Sequence, residues 1–358
     1  TPHNVSSAAS DVYKRQDLSQ TGKFYWALFT YITFTTLYTI IAIPVGSLIP
    51  AMTQDRDERT SLASFRYLGA SSGSIAVAVL TLPLVGLFSS PQFGFPIVVG
   101  CLAVLGAIFA FLCFFNTKEV YSKPYEETIG IKKVTKMVFN NYPLHFVILA
   151  LLTTWVANNI KQLTVVYFVK YNLQLEAYFS PILLGVILQI MFGAYLVNLI
   201  KHRFEKKTLF MIGTFLYVIT DLIIYYITGY ENFWLLAFIA TFGFIGFGMA
   251  GVMAWSMIAD TIEYGEWKSG FRAEGILNAA HVFVFKLSVG FSAWLAGVIL
   301  ESTDYVANAI DQSPETLNGL FIMGYIFPAV AGTIAIMVTY FNKSVSYTHL
   351  RAHETIPD

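Results

Sequence analysis

The chain has 358 residues, of which 56% are hydrophobic, 16% aromatic and only 12% charged. Soluble domains carry about 25% charged residues, so half that share excludes an ordinary soluble enzyme and points to a membrane protein. Lys and Arg together number 22, as do Asp and Glu, so no net charge directs the chain to nucleic acid or to an acidic partner. The two cysteines, Cys101 and Cys113, sit in one apolar run at a spacing that suits neither a disulfide nor a metal site. Outside the terminal segments the histidines (His145, His202, His281) are scattered, with no acid at ligand spacing and no nucleophile motif. The expectation is therefore no metal, no cofactor and no enzymatic chemistry.

Residues 1–16 are polar, charged and aperiodic, as are 346–358. Both resemble translated sequencing-adapter DNA, natural tails being the alternative; they are set aside from the fold and expected to pack against nothing. A bilayer-crossing helix needs roughly 20 mostly apolar residues. Such runs fall near 24–49, 66–88, 94–115, 144–169, 177–200, 208–228, 233–258, 276–299 and 319–341, nine in all. The segments between them are short and polar, as helical hairpins in a membrane require.

Orientation follows from the basic residues of the loops. One alternate set holds Arg56, Arg59, Lys118, Lys123, Lys132, Lys133, Lys136, Lys201, Arg203, Lys206, Lys207, Lys268 and Arg272, whereas the other holds only Lys170. The basic set is expected to be cytoplasmic. That makes the chain a multi-pass protein of the cell (inner) membrane with its C-terminus inside. The long 116–143 loop reads as a cytoplasmic connector between 17–115, with three spans, and 144–345, with six. Three spans before and six after resemble the 6+6 layout of the major facilitator superfamily with three helices absent. The expected fold is thus an all-α major facilitator fold, nine of twelve transmembrane helices present, in an N-terminally truncated chain.

Two loops on the basic side follow one plan. After the first span come Asp55, Glu58 and Arg59, with Arg66 opening the next helix; after the seventh come Asp260, Glu263 and Glu266, then Arg272 and Glu274. Ion pairs between such helix ends could hold a cytoplasmic mouth closed and break when the protein inverts; ordinary solvated loop charge is the alternative. The matched placement in the two halves favours a gate built from Asp55, Arg59, Asp260, Glu263, Arg272 and Glu274.

The same strings carry a resemblance. Tyr38-Thr-Ile-Ile-Ala-Ile-Pro-Val-Gly-Ser-Leu-Ile-Pro, Thr53-Gln-Asp-Arg-Asp-Glu-Arg, and Ala259-Asp-Thr-Ile-Glu-Tyr-Gly-Glu-Trp running on to Lys286 resemble the glycoside–pentoside–hexuronide:cation symporter family. The resemblance covers residues 20–343. It implies that Tyr38 is a sugar-site aromatic, that Thr39 is a hydroxyl ligand for the coupling cation, and that Lys286 sits between sugar and cation sites. It also implies that Arg66 hydrogen-bonds sugar hydroxyls, an interfacial anchor being its plainer role. The melibiose-permease type of the family has an acid in the first span of this chain, four residues before a tryptophan. Here Ala42 and Gly46 stand in their places, which leaves ion and sugar open.

Ionisable groups inside a membrane are costly unless paired or wetted. Lys286 lies well inside the eighth span, and its partner is expected to be an acid on an absent helix, a membrane acid such as Asp221, or the loss of its own proton. Asn158, Asn159 and Lys161 of the fourth span are read as cavity residues, Asp221 of the sixth as a helix–helix bond. Trp255 could stack on a sugar ring or belong to the interfacial aromatic belt. Stripes of small residues (Gly69 and Gly73; Gly246, Ala250 and Ala254) mark expected close helix approaches.

The reading is a monomeric secondary transporter that carries a sugar or glycoside with Na+ or H+ by alternating access, in contact with lipid. The substrate residues expected are Tyr38, Arg66, Trp255, Lys286 and Asn158, with Thr39 for the cation. A carrier of another solute, such as a lysolipid, and a non-transporting sugar sensor are the alternatives.

Overall fold

The computed structural model describes residues 19–53, 55–118, 120, 131–270, 274–306, 309 and 311–341; the terminal segments 1–16 and 346–358 and Arg272 lie outside the described residues. Among the described residues, nine helices are long and apolar enough to cross a membrane, where hydropathy places them. In a bilayer core no water meets backbone N–H and C=O groups, and a helix satisfies them within one segment. The chain divides into two compact units, Thr1–Gly46 with Ser72–Glu119 and Ser47–Ser71 with Val120–Asp358.

The first unit draws on α1 (Gln20–Met52), α2 (Arg56–Val85) and α3 (Pro91–Asn116). Ser90 is extended and Pro91 opens α3, a position where the missing proline N–H has no helical partner to lose. A Cβ on Gly94 would lie 2.9 Å from the Val85 carbonyl oxygen, so glycine lets the α2–α3 hairpin close. Phe29, Phe34, Phe109 and Phe114 are exposed. Tyr38 is also exposed, and Thr39 Oγ1 donates to the Thr35 carbonyl at 2.8 Å, a bond within its own helix.

The second unit contains α4 (Ile131–Asn140), α5 (Tyr142–Tyr167), α6 (Phe179–Ile200), α7 (Lys206–Ile223), α8 (Phe233–Ser269), α9 (Glu274–Ser302) and α10 (Pro314–Phe341). α8 packs on α6 and α7, α5 on α9 and α10, and α10 on α7. Lipid is as apolar as leucine, so helix contact in a membrane depends on close packing, which small residues permit. A Cβ on Gly193 would lie 2.0 Å from the Ile245 carbonyl oxygen, and one on Gly248 2.0 Å from that of Ile190. Gly213 and Gly246 face each other in the same way, each 2.5 Å from the other's carbonyl oxygen. The Gly246–Ala250–Ala254 stripe is therefore a true close approach. The Gly69 and Gly73 pair differs: among the described residues, a Cβ on either meets nothing within 4 Å.

Two loops expected from the sequence are helix ends. α8 continues to Ser269, where Gly270 takes a left-handed conformation (φ 77) and its N–H bonds the Glu266 carbonyl at 2.8 Å. α2 begins at Arg56, and the Asp55 carboxylate caps it by accepting from the Glu58 N–H at 2.8 Å. The 116–143 connector contains the ten-residue helix α4.

Candidate functional site

Within the second unit, α2 runs antiparallel to α8 along a polar seam. A Cβ on Gly251 would lie 2.9 Å from the Tyr67 ring, so the glycine makes room for the phenol. Further along, Thr60 and Ser256 hydroxyls are 3.4 Å apart. Next, Arg59 Nη1 pairs with Glu263 Oε1. Arg59 is only 2% exposed; its Nε donates to the Thr53 carbonyl at 2.8 Å, and its Nη2 has no hydrogen-bond partner among the described residues. Beside this pair, Lys206 Nζ bonds Asp260 Oδ1 at 2.6 Å, and Lys201 Nζ donates to Ser61 Oγ.

Of the residues expected at a gate, Arg59, Asp260 and Glu263 thus gather at one end of the seam, with Asp55 capping α2. Glu274 opens α9, but its side chain lies outside the described residues. Lys201 and Lys206 complete the cluster. In the sequence they are two of many loop cations, and nothing there tells which acid each will meet.

Arg66 Cζ lies 4.3 Å from the centroid of the Trp255 ring, a cation–π stack. Trp255 meets the His281 imidazole edge-on at 4.3 Å. Beyond it, the Trp155 ring of α5 is 6.5 Å from His281 and 5.0 Å from Phe285, both on α9. His281 Nδ1 and Trp155 Nε1 are buried and lack a hydrogen-bond partner among the described residues. An unsatisfied buried polar atom costs about 1–3 kcal/mol, so a solute that supplies the missing partners recovers that cost. A guanidinium, an indole N–H, an imidazole and aromatic faces thus lie together in one donor-rich cluster.

Neither Trp155 nor His281 stands out in the sequence. The signal that could have found His281 is a face of α9: His281, Phe285, Ser288 and Ser292 recur at helical spacing. The structure turns that face to α5, where Asn159 Nδ2 donates to Ser288 Oγ at 3.0 Å and Ser292 Oγ donates to the Val156 carbonyl at 3.2 Å. Lys286 is half-buried and follows Phe285, one residue off this face. Asn158 accepts from Gln162 Nε2 at 3.4 Å on its own helix.

A third polar group lies among α5, α7, α8 and α10. Lys161 Nζ pairs with Asp221 Oδ1 and stands 5.3 Å from the Tyr217 and Tyr325 rings and 5.4 Å from Phe244. Asp221 is 1% exposed. The bond is the helix–helix link expected of Asp221. The partner of Asp221 is thus a lysine of α5, inside a ring of aromatics.

The fold is that of a major facilitator transporter. It matches the E. coli fucose:proton symporter FucP with a TM-score of 0.58 at 11% identity, covering 85% of this chain and 73% of that one. The family description "MFS/sugar transport protein" matches residues 12–344, and the chain belongs to this family, whose members are transporters and not enzymes. It is 33% identical to the uncharacterized symporter YjmB of Bacillus subtilis (strain 168), across 92% of this chain and 72% of that protein. It is 30% identical to the isoprimeverose transporter of Lactiplantibacillus pentosus, across 87% of this chain and 65% of that protein. The chain spans about two thirds to three quarters of the length of these relatives.

Proposed function

We propose that the protein is a cation-coupled sugar or glycoside symporter working by alternating access, with the Arg66–Trp255–His281–Trp155 cluster as its sugar cradle in the second unit. The observation that carries this reading is the pair of orphaned polar atoms, His281 Nδ1 and Trp155 Nε1, beside a guanidinium stacked on indole. A sugar hydroxyl both donates and accepts, so it satisfies such a pair. The stacked guanidinium is worth roughly 0.5–2 kcal/mol where it sits, little enough for a substrate to draw it off. Released, its planar fork can hold two neighbouring hydroxyls, and the uncovered Trp255 face can take the C–H face of the sugar ring. The name of one relative, an isoprimeverose transporter, agrees with this class of solute, and that of another, a symporter, with coupled transport.

The ion-paired end of the α2–α8 seam is the gate in this scheme. Arg59–Glu263 and Lys206–Asp260 hold that end closed while the site opens to the other side. Lys286 is the coupling residue of this half. An ammonium inside the membrane is tolerated only when compensated, and binding of the coupling cation alters that compensation.

The test is uptake of labelled glycosides by the full-length protein in liposomes, with and without an imposed Na+ or H+ gradient. Gradient-driven accumulation is expected in the wild type. It should vanish in Lys286→Ala and in Lys286→Arg, while inserted protein and gradient-free exchange persist. Accumulation by Lys286→Ala at the wild-type level would show that the lysine plays no part in coupling. Absence of uptake with every glycoside, alongside transport of a non-sugar solute, would overturn the sugar assignment.

A further inference from the structure

α4 and the end of α8 enclose a second site, away from the sugar cradle. A cleft of about 390 Å³ opens between them, lined by Lys133, Lys136 and Asn140 of α4 and by Gly265, Lys268 and Ser269 of α8. Three lysines therefore face one space with no carboxylate in its lining. Among the described residues none of the three has an acidic partner: Lys268 Nζ donates to the Asn140 carbonyl at 2.9 Å, and Lys133 and Lys136 enter no ion pair. Two other cations at this end of the bundle behave differently, since Arg59 has Glu263 and Lys206 has Asp260.

Position gives the cleft its meaning. Asn141, the single residue between α4 and α5, is 1% exposed. Its Oδ1 accepts from the Leu144 N–H at 3.2 Å and its Nδ2 donates to the Thr261 carbonyl at 2.9 Å. It thus ties α4 to the ends of two bilayer-crossing helices, α5 and α8. Met137 is buried under α4, whereas Lys132, Lys133 and Lys136 are exposed, so the helix is amphipathic. Phe139 is 72% exposed and Trp267 55%, aromatics of the kind enriched at membrane–water interfaces. A lysine-lined cleft at the ends of crossing helices, flanked by exposed rings, matches the charge of an anionic headgroup.

We infer that this cleft binds the phosphate of an anionic phospholipid, with the ammonium groups of Lys133, Lys136 and Lys268 around the phosphate and Phe139 against the acyl chains. Lysine serves here as a hydrated point charge that needs no fixed orientation, which suits a mobile headgroup. Basic pockets between membrane helices are known to take such groups.

The full chain in phosphatidylcholine nanodiscs, titrated with labelled phosphatidylglycerol, tests this. Saturable retention is expected, falling about fivefold for each of Lys133→Gln, Lys136→Gln and Lys268→Gln, and unchanged in Lys132→Gln, whose lysine lies outside the cleft. Lys136→Arg, which keeps the charge, should bind like the wild type and shows that loss in Lys136→Gln is not misfolding. An equal loss in Lys132→Gln would mean general surface charge and overturn the site. Competition by inorganic phosphate at the concentration at which the lipid binds would make it a site for soluble anions, and overturn the lipid assignment. Absence of saturable retention in the wild type would overturn both.

Discussion

The two faces of α8 are built on opposite principles. Toward α6 and α7 the helix presents Gly246 and Gly248 and makes contact at backbone distance, with no room for even a methyl group. Toward α2 it presents Trp255, Ser256 and Glu263, and contact is made by long side chains, a hydroxyl pair and a buried ion pair. A backbone contact has one geometry, and separating it loses dispersion along its whole length. An ion pair near a helix end can exchange its partner for water. In the proposed alternating-access scheme, the first face stays shut and the second opens.

The largest expected effect comes from breaking the fixed face. Gly248→Leu or Gly193→Leu would drive a side chain into a carbonyl, a form of overpacking that costs 3 kcal/mol or more, roughly. Little folded, monodisperse protein should survive detergent extraction, as size-exclusion chromatography would show. A wild-type elution profile for both variants would mean that the backbones are not in contact.

The buried pair in the same bundle sharpens the contrast. Removing one partner from a buried ion pair typically costs about 3–5 kcal/mol, whereas replacing both by apolar residues is often neutral. Asp221→Asn should therefore lower the unfolding midpoint strongly, and Lys161→Met with Asp221→Leu should restore most of it. If the pair is only a strut, the double variant also transports. A stable double variant that has lost transport would move Lys161 and Asp221 into the mechanism.

Breaking the opening face should change bias more than stability. Arg59→Gln or Glu263→Gln leaves one charge unpaired and should expose cysteines placed along the seam to a membrane-impermeant reagent, with transport reduced at least tenfold, roughly the effect of 1.4 kcal/mol. The double variant Arg59→Gln with Glu263→Gln should recover part of the protection. Unchanged accessibility in the single variants would remove these residues from the gate.

Smallest, and most specific to the proposed sugar cradle, are His281→Ala and Trp155→Phe. Each removes one of the orphaned polar atoms, worth about 1 kcal/mol per hydrogen bond to a neutral solute. KM should rise about fivefold with maximal rate and melting temperature near wild type. Since an orphaned group costs stability in the empty protein, a small gain in melting temperature is also expected for Trp155→Phe. A wild-type KM in both would leave the cluster as packing.

Much of this was legible in the chain. The nine helices long and apolar enough to cross a membrane among the described residues follow from run length and hydropathy, because each apolar segment must become a helix whatever its neighbours are. The family follows from the strings around Tyr38, Thr53 and Ala259. The acids and arginines at helix ends were visible as a set, and Asp221 as a helix–helix bond. Their pairing was not. Asp260 could have met Arg272 as easily as Lys206, and Glu263 could have met any of several cations, since charge alone carries no register. Trp155 and His281 do not stand out in the chain, because a lone tryptophan and a lone histidine in apolar helices look like packing until their neighbours are known.

The sequence by itself determined what happens along each helix: where it crosses the membrane, where a glycine allows a cap, and which residue types lie at its ends. Only the tertiary structure decided which face of α8 is shut by glycine and which by charge, that Arg66 rests on Trp255, and that three lysines of α4 and α8 share a cleft without an acid. Helix formation in a membrane is driven by the backbone of one segment. Helix pairing depends on side chains from segments far apart in the chain, whose rotation and depth no single segment encodes.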